Sequence, residues 1–140
     1  MKTKSTLLRQ RVKAYTLTEI LVVLVIIGIL ILMALPNLLP LITKAKSLEA
    51  KTQLNHIQTL EQSYFYEHSK YSKDLNEIGF LQDKLVTDND GRANYRIEIT
   101  TATNTGFTAR ATAVVDFNGN GTFNVWEIDQ DKKLKEVTAD

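Results

Sequence analysis

One hundred and forty residues leave room for one modest domain, and with no cysteine there is no disulfide to staple it. The formal net charge of +1 hides a basic start: five of the first fourteen residues are Lys or Arg and none is acidic. Beyond Ala14 there are twelve basic and sixteen acidic residues, so the bulk of the chain is acidic and nucleic acid is a poor expectation as partner.

Lys2, Lys4, Arg9, Arg11 and Lys13 form a basic leader over residues 1–14. Placed directly before an apolar segment, such a leader keeps that end of the chain in the cytoplasm. From Ile20 to Leu35 no side chain is polar, and Leu17 to Leu35 as a helix would cover about 28 Å, close to the hydrocarbon thickness of a bilayer. A conventional signal peptide is cut after its apolar region at small residues. Here Met33-Ala34-Leu35-Pro36 is a poor site, whereas Ala14 precedes the apolar run. A cut after Ala14 would leave the apolar helix at the head of the mature protein. Glu19 then lies in the first turn of a membrane segment, where an acid is costly and therefore a functional candidate.

Residues 15–43 are expected to form the transmembrane and assembly helix, with Pro36 and Pro40 causing a kink or a locally melted turn. From 44 to 68 the pattern is amphipathic. Ala50, Leu54, Ile57, Leu60, Tyr64 and Phe65 mark the inner stripe, and Lys44, Lys46, Glu49, Lys51, Gln58 and Glu67 the wet side. A loop follows whose Leu75, Ile78, Phe80 and Leu81 should tuck against the helix, then a turn at Asp88-Asn89-Asp90-Gly91. Alternation at Tyr95–Ile99 and Phe107–Val115, with shorter segments at 123–129 and 133–138, predicts an antiparallel meander of about four strands. The fold class is α+β: a long N-terminal helix, its first half transmembrane, packed on a small sheet, with the head over residues 44–140.

One loop has the residues for ion chemistry. Asp116, Asn118, Asn120, Gly121 and Glu127 fit the calcium-loop spacing D-x-[DN]-x-[DN]-G-x5-E, with the Thr122 carbonyl at position seven and Asp129 as a spare donor. A plain Gly119-Asn120-Gly121 hairpin explains the same residues without a metal. His56 and His68 read as surface residues. No nucleophile–base pair, carboxylate pair or phosphate-cradling loop is recognisable, which points away from an enzyme.

Ala14-Tyr15-Thr16-Leu17-Thr18-Glu19 resembles the processing site of type IV pilins and type II secretion pseudopilins. Counted from Tyr15, Glu19 is the fifth mature residue, Gly28 the fourteenth and Pro36 the twenty-second, where that superfamily places them. Ala14 departs from the usual glycine and Thr18 from the usual aliphatic residue. The resemblance implies cleavage between Ala14 and Tyr15 by a prepilin peptidase, methylation of the Tyr15 amine, and assembly at an inner-membrane platform. It also implies a homopolymeric filament joined by related minor pilins or pseudopilins. Glu19, Gly28 and Pro36 become assembly residues, with Glu19 pairing to the Tyr15 amine of a neighbour. The chain would begin as a single-pass inner-membrane protein, N-terminus cytoplasmic and head periplasmic, and end in a periplasmic or cell-surface filament. The absent cysteines and the calcium-like loop favour a type II secretion pseudopilus. The alternative is a single-pass anchored, calcium-binding adhesion protein; a secreted hydrolase behind an uncleaved signal lacks its catalytic residues.

Overall fold

A computed structural model describes residues 14–140; residues 1–13, which hold most of the basic leader, lie outside the described residues. The first element is a helix, α1, Leu17–His68. The chain divides into two units at Pro36, residues 1–36 and 37–140.

In the first unit the helix is apolar all round, with a window of mean hydropathy 3.0 and nothing covering it. Every large apolar side chain from Ile20 to Leu35 is exposed, between 45% and 71%. By length and composition this helix can cross a membrane. The helical assignment continues through Pro36 and Pro40, so the locally melted turn expected there is absent. Each proline withdraws one backbone donor, and the leucine-rich turns on either side carry the ladder across.

In the second unit α1 covers a four-stranded antiparallel sheet, ordered β1-β2-β3-β4 as a meander: β1 Tyr95–Ala102, β2 Phe107–Ala113, β3 Val125–Asp129 and β4 Leu134–Thr138. Alternation sets the faces. Tyr95, Ile97 and Ile99 on β1 and Phe107, Ala109, Ala111 and Ala113 on β2 point inward onto Ala50, Leu54 and Ile57 of α1. Small alanines along β2 let the helix lie close to the sheet. The outer face is polar, and Arg110 on β2 donates to Glu127 on β3 at 2.6 Å through Nη2, with Lys135 of β4 on the other side of Glu127.

Between helix and sheet, residues 69–94 form an irregular segment. Ile78 and Phe80 are buried as expected, but Leu81 is 83% exposed. The turn at Gly79 (φ +78°) sends Phe80 inward, and extended alternation then sends the next side chain out. Gln58 departs from expectation in the opposite sense: placed on the wet side by the pattern, it is buried, as is Glu61. The inner stripe at 50, 54 and 57 continues at its own spacing to 58 and 61, so helical geometry overrides their polarity.

A fully buried asparagine ties the C-terminal strand to the core. Asn124 Oδ1 accepts from the Tyr95 hydroxyl and from Trp126 Nε1, both at 2.7 Å. Its amide donates to Glu136 at 2.6 Å and to the Thr138 carbonyl at 3.1 Å. All four sites of the amide are engaged between β1, β3 and β4, so truncation leaves the buried Tyr95 hydroxyl without its acceptor and frees β4 from the core. Asn124→Ala should destabilise the head by about 3 kcal/mol, read in urea unfolding of the detergent-solubilised chain by Trp126 emission.

Candidate functional site

The site begins with why α1 starts at Leu17. Thr16 precedes the first helical residue and Glu19 stands three positions later, the T-x-x-E order of a capping box. The structure closes it in both directions: Thr16 Oγ1 accepts the Glu19 N–H at 3.2 Å, and Glu19 Oε2 accepts the Thr16 N–H at 2.7 Å and the Thr16 hydroxyl at 3.0 Å. Two of the four N–H groups orphaned at a helix start are thereby satisfied. A carboxylate at this end also meets the positive pole of the helix. Glu19 is therefore held by its own chain at the tip of an apolar rod. Thr16 was missed as a site residue by sequence reasoning, although the T-x-x-E spacing announces it.

Around this tip Ala14 and Tyr15, the expected processing pair, are exposed, Tyr15 by 81%. Gly28 sits in mid-helix, where glycine costs about 0.5–1 kcal/mol relative to alanine. Beyond its own helical backbone and chain neighbours, no described atom lies within 4 Å of where its Cβ would stand. Nothing within the described chain therefore demands a glycine here. Pro36 lies within the same helix, seventeen residues after Glu19.

The loop of the calcium-like motif is organised by Asp116. Its Oδ1 accepts the N–H of Asn118 at 3.2 Å and of Gly119 at 2.6 Å, and its Oδ2 that of Gly121 at 2.7 Å. These donors, Gly121 foremost, hold the carboxyl below the usual carboxylate range. Asn118 Oδ1 accepts the Asn120 N–H and Asn120 Oδ1 the Thr122 N–H, each step two residues on. Gly119 and Gly121 sit at φ +77° and +86°, where a Cβ would be strained. Asp116, Asn118, Asn120 and Thr122 thus share one loop. Glu127 and Asp129 lie on β3 and are engaged elsewhere, Glu127 with Arg110 and Lys135, Asp129 with the N–H groups of Asp131 and Lys133. Among the described residues no three His, Cys, Asp or Glu side chains gather closely enough to hold a metal.

An exposed apolar helix with a capped acid at its tip, followed by a small α+β head, fits a membrane-anchored subunit of the pilin type. The family model described as the type IV minor pilin ComP, DNA uptake sequence receptor, matches residues 39–122, more than half of the chain. A second, described as the prokaryotic N-terminal methylation motif, matches residues 9–35. Over 87 residues the chain is 38% identical to the type IV major pilin protein PilA of Myxococcus xanthus (strain DK1622), an alignment covering 62% of this chain and 37% of that relative. The match spans little more than a third of that relative's length. The chain belongs to the type IV pilin family.

The capping box yields a direct test. Thr16→Val keeps the shape of the side chain and removes the hydroxyl, and should weaken the helix start by about 1 kcal/mol. Hydrogen exchange of the Glu19 and Ile20 amides in micelles should then accelerate several-fold, while Thr16→Ser should leave it unchanged.

Proposed function

We propose that this chain is the repeating subunit of a surface type IV pilus, inserted first as a single-pass inner-membrane protein with its N-terminus cytoplasmic. The observation that carries the proposal is the uncovered apolar helix with one acid at its tip. Lipid covers that surface in the membrane, and neighbouring helices cover it in a filament. Exchange of lipid for helix gains nothing from hydrophobic transfer, so close packing and polar pairing must drive it. Gly28 suits that need, since its absent side chain lets a second helix approach.

A prepilin peptidase would cut between Ala14 and Tyr15 and methylate the Tyr15 amine, leaving a cation one residue before the cap. Thr16 and Glu19 are untouched by the cut, so Glu19 enters the growing filament already holding two donors. The Tyr15 ammonium of the next subunit then supplies the opposite charge, which a desolvated carboxylate requires. An assembly platform in the inner membrane would pass subunits into the fibre.

The likeness to a major pilin supports a surface pilus over a type II secretion pseudopilus, in which the same helix chemistry would operate. DNA is not carried over from the matched family description. From Asn37 onward the chain has twelve basic and fifteen acidic residues, a net of −3, and phosphate binding needs the opposite balance.

Glu19→Ala should leave the membrane-bound amount unchanged and remove the chain from filaments sheared off the cells. Filaments assembling normally from that variant would overturn the pairing. Recovery of the wild-type chain only from the envelope, never from the sheared surface fraction, would return the reading to a pseudopilus.

Calcium belongs to the proposal as a weak ligand of the 116–122 half of the loop. Asp116 Oδ2 and Asn118 Oδ1 each keep a lone pair beyond the one N–H they accept, Asn120 Oδ1 would give up the Thr122 hydroxyl, and Thr122 adds its carbonyl. With Glu127 bound to Arg110, affinity would fall in the range of about 10⁻⁴–10⁻³ M seen for extracellular modules. Millimolar calcium should raise the thermal midpoint of the detergent-solubilised chain and chelator should reverse it; an unchanged midpoint removes calcium from the account.

A further inference from the structure

The most buried acid of the head has no role in the filament chemistry above. Glu61 is fully buried on the inner face of α1. Its Oε2 accepts the N–H of Ser72 at 3.0 Å, which fastens the segment after the helix to the helix itself. Its Oε1 has no partner. One turn earlier on the same face, Gln58 is also buried, with its Oε1 equally without a donor while its Nε2 reaches Gln62 and the Gln130 carbonyl at 3.5 Å. Residues three apart on a helix are neighbours. Two buried acceptors three residues apart on one helix face, each lacking a donor, are costly, and a proton on Glu61 would give both of them a partner.

We propose that Glu61 is a carboxylic acid in the folded head, donating its Oε1 proton to Gln58 Oε1 while Oε2 accepts from Ser72, and that loss of this proton loosens the 69–80 segment.

Among the described residues no cation acts on the Glu61 carboxyl. The titratable groups around the carboxyl are Tyr64 on α1, Tyr71 and Glu77 from the 69–80 segment, and Asp131 from the β3–β4 turn, which acts on Tyr71. All are neutral or acidic, and the ion pairs among the described residues join Arg110, Lys133 and Lys135 to other carboxylates. Burial raises the Glu61 carboxyl to about 7, with the Ser72 N–H pulling the other way. Ionisation would place an uncompensated charge between the helix and the Ser72 anchor. The neighbouring anchor is sensitive to the same event: Glu77 accepts from the Ser72 hydroxyl and from the Tyr64 hydroxyl. The Ser72 N–H itself favours the anion, so the loosening comes from the cost of burying the charge: protonation removes that cost, and ionisation is relieved by opening the 69–80 segment to water.

The sign follows from linkage. An acid whose folded value lies above its ordinary 4.5 contributes its full stability below about pH 4.5 and loses it as pH rises through about 7. Glu61→Gln is the fitting variant, because its amide donates to Gln58 and its carbonyl accepts from Ser72 at every pH. Thermal unfolding of the detergent-solubilised full chain should show the wild-type midpoint falling by about 5 °C or more between pH 5 and pH 8. Glu61→Gln should hold its midpoint near the acid value throughout, and should keep the Ser72 amide protected from hydrogen exchange at pH 8. Gln58→Leu, which removes the acceptor, should move the wild-type transition to lower pH. A wild-type profile parallel to that of Glu61→Gln would overturn the proposal, as would a Gln58→Leu transition left at the wild-type pH.

Discussion

A carboxylate at the tip of an apolar helix has to be paired wherever that helix goes, and much of this molecule follows from that constraint. In the isolated chain the pairing is local: Thr16 donates through its N–H and hydroxyl, and Glu19 returns a backbone donor to Thr16 Oγ1. The cap lowers the cost of carrying an acid to the membrane interface. It also leaves the charge itself uncompensated, because both donors are neutral. A cation supplied by another molecule is therefore worth more than either hydrogen bond. In the proposed filament, that difference would let one residue be tolerated alone and selective in company.

The two units answer different solvents. Residues 20–35 present apolar side chains in all directions with no cover from the described chain. Residues 37–140 build a water-facing domain whose core rests on one face of α1 and the inner face of four strands. Such a small core has no disulfide to help it, and the buried polar groups take on that work. Asn124 fastens β4 to β1 and β3 with a fully engaged amide, and Glu61 and Glu77 fasten the segment after the helix through Ser72.

Much of this was legible in the residues. The unbroken apolar run, the strand alternation and the Asp88–Gly91 turn each follow one short-range rule, and the elements lie where those rules put them. Gln58 and Leu81 escaped for a shared reason: backbone geometry, the helical period in one case and extended alternation after the Gly79 turn in the other, sets their environment rather than their own polarity. The spacing of Ala50, Leu54, Ile57 and Glu61 carried the helix's inner face straight into polar residues, and a period taken alone would have located them. Continuity of α1 through Pro36 and Pro40 was not readable, because one missing donor sets a local cost and the flanking turns decide whether it is met. In the calcium-like loop, spacing identified the residues that meet around Asp116. It could not foresee that Arg110, across the ladder from Glu127, would take up that carboxylate.

The central claim is that the apolar helix stays on the mature subunit and begins one residue before its own cap. Intact-mass measurement of the subunit extracted from sheared filaments tests this most directly. The account predicts a chain starting at Tyr15 and carrying one additional methyl group on its amine. A mass corresponding to a start beyond Leu35 would contradict it, since neither the rod nor Glu19 would then be present to join one subunit to the next.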